Sequence, residues 1–201
     1  MTAITGVVLA GGRSTRMGQE KAFLPYGGKK LIEHIVSRLQ PYCDNILVSV
    51  NEASQYEFLK LPLITDKNKN CGPLGGLEAA IDASPTELCF IIPCDVPFIS
   101  GAIIPLLASE IGTHDACVPL SGGFYEPLVA LYNKTALTAF RECLKEKKYK
   151  VSDSFPQMMV RYIPEEMLRK RCLANIFHNI NTISDYENMI NSILTNKEGK
   201  L

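Results

Sequence analysis

An α/β fold with a mostly parallel sheet is what this sequence of 201 residues predicts, and three observations carry the expectation. Residues 4–10 (ITGVVLA) form a continuous apolar run that ends in two glycines, the pattern of a strand buried on both faces. Leu31, Ile32, Ile35, Val36 and Leu39 then recur at helical spacing and stop before Pro41, which predicts a core-facing helix over about 30–40. Strand-like and helix-like segments go on alternating as far as residue 92. Such alternation places helices on both faces of the sheet, in a Rossmann-like three-layer sandwich.

The elements follow in order. After the first strand and helix come a strand near 46–50, a helix near 52–59, a short strand near 63–65, a helix near 77–83 and a strand near 88–92. Beyond Gly101 the rhythm loosens into a helix near 103–111, strands near 116–119 and 127–132, and a helix near 134–147. A last helix is expected over 184–194, with Asn181 and Thr182 placed to cap it. With no repeat, low-complexity stretch or linker in view, one domain over 1–195 and a tail over 196–201 are expected.

Composition bounds the function. Lysine plus arginine equals aspartate plus glutamate at 21 each, so the chain as a whole has no electrostatic reason to coat nucleic acid or an anionic membrane. The first fifty residues depart from that balance, with six basic residues against three acidic ones, which suits a locally bound phosphate ligand. Seven scattered cysteines with no C-x-x-C pair point to buried cytosolic thiols rather than to zinc or a redox dithiol. No apolar stretch approaches the eighteen or so residues of a membrane span, and the cytoplasm is the expected compartment.

In open parallel sheets ligands bind beyond the carboxyl ends of the strands. The segment there, LAGGRSTRMGQEK over residues 9–21, is neither a Walker loop nor a dinucleotide fingerprint, yet its chemistry is phosphate chemistry. Gly11, Gly12 and Gly18 let the backbone approach a ligand and present N–H groups to anionic oxygens, while Arg16 and Lys21 supply cations against a triphosphate. A glycine turn flanked by solvated basic residues is the plainer alternative.

Residues 9–21 also carry every fixed position of L-A-[GA]-G-x-[SG]-x-R-M-G-x-x-K. In this the chain resembles the nucleotidyltransferases of the sugar-nucleotide and cofactor type, and it resembles most the molybdenum cofactor guanylyltransferases, over nearly its whole length and in the order of its motifs. The resemblance implies the nucleotide-diphospho-sugar transferase type of fold, with GTP and molybdopterin as substrates. It also implies molybdenum cofactor biosynthesis proteins or client molybdoenzymes as partners, with no nucleic acid and no membrane. Leu9, Ala10, Gly11 and Gly12 are the positions where the family's backbone meets the purine. Gly11 stands where the related cytidylyltransferases typically have alanine, so that position bears on base choice.

Asp95 sits in Pro93-Cys94-Asp95-Val96-Pro97, just past the apolar run 88–92. A carboxylate there can hold Mg²⁺ against phosphate oxygens, and the flanking prolines stiffen its backbone; a turn aspartate is the alternative. P-C-D-x-P is characteristic of the family resembled. Asp66 ends the strand 63–65 and precedes Gly72-Pro73-Leu74-Gly75-Gly76, which predicts a second glycine loop opening the helix at Leu77. By resemblance Asp66 contacts the guanosine nucleotide; a cap or turn role is the alternative. Either Ser49 or Asn51, after the second strand, could face the nucleotide.

Glu126-Pro127 and the segment 177–182, with His178, Asn179 and Asn181, resemble family motifs on the acceptor side. Capping or packing explains them equally, and they stay outside the expected catalytic set. That set is Arg16, Lys21 and Asp95, with Mg²⁺ on Asp95 as cofactor. The reaction expected is attack by the phosphate of molybdopterin on the α-phosphorus of GTP, expelling pyrophosphate. CTP or a sugar phosphate as substrate, and a non-catalytic GTP-binding protein, are the alternatives.

Overall fold

The computed structural model describes residues 2–11, 20–65, 71–171 and 173–198. Among these residues ten strands run in chain order: β1 (Ile4–Leu9), β2 (Pro25–Tyr26), β3 (Lys29–Lys30), β4 (Asn45–Val50), β5 (Leu63–Thr65), β6 (Leu88–Pro93), β7 (Ala116–Ser121), β8 (Phe124–Tyr125), β9 (Ala130–Asn133) and β10 (Val160–Ile163). The α-helices are α1 (Leu31–Leu39), α2 (Gly72–Ala83), α3 (Ile103–Glu110), α4 (Leu137–Lys145), α5 (Glu165–Arg169) and α6 (Ile183–Glu198).

The main sheet has the order β10-β7-β9-β6-β1-β4-β5, with β8 added to β7. Parallel pairing joins β6 to β1, β1 to β4, β4 to β5 and β7 to β10, whereas β9 runs antiparallel between β6 and β7. The expected three-layer sandwich is present, and the loosened rhythm beyond Gly101 reflects this inserted antiparallel strand. Side chains alternate across a strand. Val8, Phe90 and Ile92 therefore face one core, with Ile32, Ile35 and Leu39 of α1 and Ile103, Ile104 and Leu107 of α3. Val7, Cys89 and Ile91 face the other, with Leu74, Leu77 and Ile81 of α2 and Phe140 of α4. Burial on both sides is why the runs of β1 and β6 are apolar without alternation.

Several elements differ from the sequence expectation. The expected second glycine loop is helix: α2 begins at Gly72, whose φ is +60°, with Pro73 in its first turn, where a missing N–H costs nothing. A Cβ on Gly76 would lie 2.9 Å from Ser49 Oγ, so this glycine serves the close approach of α2 to β4. The segment 53–59 is a 3₁₀ helix rather than an α-helix and ends on Lys60 in the left-handed region. β2 and β3 form a hairpin over Gly27 and Gly28, both at positive φ as a tight two-residue turn needs. β8, β10 and α5 were also not anticipated, and α6 runs to Glu198, into residues 196–198 of the expected tail. Among the described residues no helix is long and apolar enough to cross a membrane.

Gly101 is where α1 meets the turn before α3. A Cβ there would collide with the Arg38 carbonyl oxygen and the Tyr42 ring. Gly101→Ala is expected to destabilise the protein by about 1–3 kcal/mol, seen as a fall of several degrees in Tm; an unchanged Tm would show that α1 can give way.

Candidate functional site

Strand register builds the site. Leu9 is level with Ser49 on one side and with Pro93 on the other. Gly11, Asn51 and Asp95 therefore each stand two residues past one line drawn across three parallel strands. Hydrogen bonds extend the pairing past the strand ends: Ala10 N (2.8 Å) and Gly11 N (3.2 Å) both donate to the Ser49 carbonyl, and Cys94 N donates to the Leu9 carbonyl at 3.0 Å. The β9 strand runs antiparallel to β6, with Ala130 level with Ile91. Its leading segment, with Glu126 and Pro127, consequently belongs to the same edge of the sheet.

Lys21 opens the 3₁₀ turn Lys21–Phe23 that follows the glycine-rich segment. Its ammonium donates to Asp95 Oδ2 at 3.1 Å and to Asn181 Oδ1 at 3.4 Å. The side chains of Lys21 and Asp95 are 14% and 21% exposed, so this ion pair is sheltered from the solvent screening that makes surface pairs weak. Asn181 arrives from far along the chain because Ile180 N donates to the Asp95 carbonyl at 2.8 Å. Thr182 then caps α6: Asp185 N donates to Thr182 Oγ1 (3.1 Å), and the Asp185 carboxylate accepts from Thr182 N (2.8 Å) and Asn181 N (2.9 Å). This is a capping box with aspartate in the third position. Those backbone donors hold the Asp185 carboxyl below its ordinary range.

Gly11 and Asn51 touch. A Cβ on Gly11 would lie 2.9 Å from Asn51 Oδ1, so the absence of a side chain at residue 11 leaves room for that amide. Ser49 is buried and turned toward α2, whereas Asn51 is exposed at the strand edge. Of the two expected alternatives, it is therefore Asn51 that is available to a ligand. Burial raises the carboxyl of Glu126 above its usual value. Burial and the neighbouring Asp95 carboxylate push the Cys94 thiol up to about 12, so Cys94 is neutral at pH 7 and offers no thiolate.

Of the residues expected from the sequence, Leu9, Ala10, Gly11, Lys21 and Asp95 come together at this edge. Gly12, Arg16 and Asp66 lie outside the described residues. Among the described residues no three of His, Cys, Asp or Glu cluster as a metal cage. A magnesium ion nevertheless fits Asp95, because it is commonly held by one or two carboxylates with the rest of its shell supplied by substrate phosphates and water. Two neighbours stood outside the expected catalytic set: Asn181 reads from the sequence as a helix cap or an acceptor-side residue, and Tyr56 lies in a stretch whose pattern is only helical. The Tyr56 hydroxyl donates to Glu20 Oε2 at 2.7 Å and lies 3.3 Å from the Ala10 carbonyl.

Comparison with known proteins agrees with this geometry. Residues 6–158 match the MobA-like NTP transferase domain. A protein of Carboxydothermus hydrogenoformans named probable molybdenum cofactor guanylyltransferase is 36% identical over 195 residues, covering 94% of this chain and 96% of its own. One of the same name from Pelotomaculum thermopropionicum is 37% identical over 188 residues, covering 92% and 91%. The crystal structure of molybdopterin-guanine dinucleotide biosynthesis protein A from Archaeoglobus fulgidus superposes with a TM-score of 0.79 at 29% identity, covering 92% of this chain and 95% of that one. The fold is that of the nucleotide-diphospho-sugar transferases. With Gly11, Lys21 and Asp95 assembled at one sheet edge and likeness along nine-tenths of its length, the chain belongs to the MobA-like NTP transferases, in the molybdenum cofactor guanylyltransferase family.

Proposed function

We propose that this chain transfers GMP from GTP to the phosphate of molybdopterin, giving the guanine dinucleotide form of molybdenum cofactor and pyrophosphate. The observation that carries the reading is the Lys21–Asp95 pair at 3.1 Å, set two residues beyond β6 and level with Gly11. A cation and a carboxylate side by side suit a triphosphate whose charge is shared between protein and metal.

In the reaction an oxygen of the acceptor phosphate forms a bond to the α-phosphorus of GTP, and the bond from that phosphorus to the oxygen bridging to the β-phosphate breaks. Pyrophosphate leaves with the electron pair. The attacking oxygen is already anionic, so no general base is needed, and the protein's contribution is positioning and charge stabilisation. Lys21 donates to phosphate oxygens as charge builds on them, with Arg16 as a second cation. The Gly11 backbone lies against the purine with the Asn51 amide beside it, and Asp66 contacts the nucleoside. Asn181, hydrogen-bonded to Lys21, and Glu126 lie on the side left for the acceptor. Asp95 would hold Mg²⁺, which when bound would supply neutralisation of the triphosphate oxygens. The same reading keeps the reaction in the cytoplasm, where GTP is made.

The direct test is incubation with GTP, Mg²⁺ and molybdopterin, with mass analysis of the product. A guanylylated pterin is expected; product from CTP alone would move the base assignment, and GTP binding without transfer would make the chain a nucleotide sensor. Asp95→Asn keeps an acceptor for Lys21 but loses the charge. It is expected to retain its circular dichroism while losing turnover and metal-dependent GTP binding, and full activity would remove the metal from Asp95. Lys21→Ala is expected to raise the barrier by about 2–3 kcal/mol, roughly a hundredfold in rate; an unchanged rate would return Lys21 to a structural ion pair. Gly11→Ala must displace Asn51, and KM for GTP should rise about tenfold with the preference over CTP narrowed. Unaltered nucleotide selectivity in that variant would disconnect residue 11 from base choice.

A further inference from the structure

We infer that Tyr56 is a positioning residue for Lys21, acting through Glu20; the inference rests on the guanylyl-transfer reading for its kinetic test and on geometry alone for its structural one. Tyr56 belongs to the 3₁₀ segment Ala53–Leu59 that leaves β4 past Asn51, and it is 1% exposed. Its single hydroxyl reaches both flanks of the glycine-rich segment. Glu20 Oε2 lies at 2.7 Å and the carbonyl of Ala10 at 3.3 Å, although these partners are ten residues apart in sequence.

A buried phenol needs an acceptor, and the Glu20 carboxylate is the short, charge-assisted one. Burial, and the hydrogen bond to Glu20 after it, raise the Tyr56 phenol above its ordinary value, so it stays a donor at any pH of interest. The tyrosine ring is itself fixed, packed 4.9 Å from Phe23 between centroids, and Phe23 lies 6.1 Å from Phe58. Lys30 sits over the Phe58 ring at 3.6 Å, so the tyrosine ring is held at one end of a row of packed aromatic rings.

Glu20 and Lys21 are adjacent, and Glu20 is the extended residue that enters the 3₁₀ turn Lys21–Phe23. Tying the Glu20 side chain toward Tyr56 directs the next side chain away from it, onto Asp95 and Asn181. Among the described residues the Glu20 carboxylate is hydrogen-bonded to Tyr56, and it is Lys21 that reaches Asp95 and Asn181, so the part of Glu20 in the site is to orient its neighbour. The connection after β4 thus supplies two services to the edge: Asn51 against Gly11, and Tyr56 against the residues on either side of 12–19.

Tyr56→Phe removes the hydroxyl and keeps the ring against Phe23. With GTP, Mg²⁺ and molybdopterin, kcat/KM for GTP is expected to fall about tenfold in Tyr56→Phe and in Glu20→Ala, mainly through kcat because Lys21 acts as charge develops. The double variant should be no worse than the poorer single one, since both remove one connection. Two results would overturn the inference: losses that multiply to about a hundredfold in the double variant, or a kcat/KM in Tyr56→Phe equal to that of the unaltered chain. A fall in Tm with kinetics unchanged would also count against it, as the mark of a merely structural contact. Should the unaltered protein release no pyrophosphate, the proposed function fails separately. The connection is then judged by amide hydrogen exchange at Lys21 and Ala22 in the ligand-free protein, where faster exchange in Tyr56→Phe supports it and equal exchange overturns it.

Discussion

Because β1 is hydrogen-bonded in parallel to β4 on one side and to β6 on the other, with Leu9 level with both Ser49 and Pro93, the chain leaves the sheet three times along one line. Everything at the edge depends on that register. A slip of one residue would turn Asp95 to the opposite face and carry Phe90 and Ile91 into each other's cores. The apolar layers on both sides forbid it, since Val7 and Val8 are each fully buried, on opposite faces. The hydrophobic core therefore acts as a ruler, and the polar residues of the site are placed by its last gradation.

The edge itself is where the ladder ends and backbone groups would go unpaired. The Ser49 carbonyl takes two N–H donors, Leu9 O takes Cys94 N, and Asp95 O takes Ile180 N, so these groups are satisfied before any ligand arrives. Among the described residues along this line, side chains and the exposed Gly11 remain to meet a ligand. On the α2 side, Gly75 is buried and Gly76 is covered by Ser49, which brings that helix's first turns close to the same line without bulk in the way.

How much of this was legible in the sequence follows from the physics of each part. The strands β1 and β6 and the helix α1 were readable because burial on two faces, or on one stripe, leaves a period in the residues. The edge strand β10, with its mixed exposure, and the two-residue strands β2, β3 and β8 carry no such period. α2 was placed late because glycine and proline mark loops more often than helix starts. In the site, Gly11, Lys21 and Asp95 stand inside compact local motifs. Tyr56 stands in none, and the segment around Asn181 pointed to the acceptor side without naming Lys21; the contacts that bring them in lie 36 and 160 residues away in sequence, which no local pattern records. The choice between Ser49 and Asn51 needed the packing of α2 to decide, because the two residues lie on the same face by period alone and differ only in what covers them: α2 covers Ser49 and leaves Asn51 exposed.

The bond from Ile180 N to the Asp95 carbonyl, together with that from Tyr186 Oη to the Pro25 carbonyl at 2.6 Å, sets an order in time. A chain emerging from the ribosome can pair β1, β4 and β6 once residue 93 is free, yet Lys21 meets Asn181 only after a further stretch of polypeptide has been made and folded back over it. Such long-range closures come late in folding. A chain stopped before residue 180 lacks both the Asn181 amide that meets Lys21 and the Ile180 N–H that meets the Asp95 carbonyl. Synthesis of the final segment is then the step that commits the edge to its finished shape.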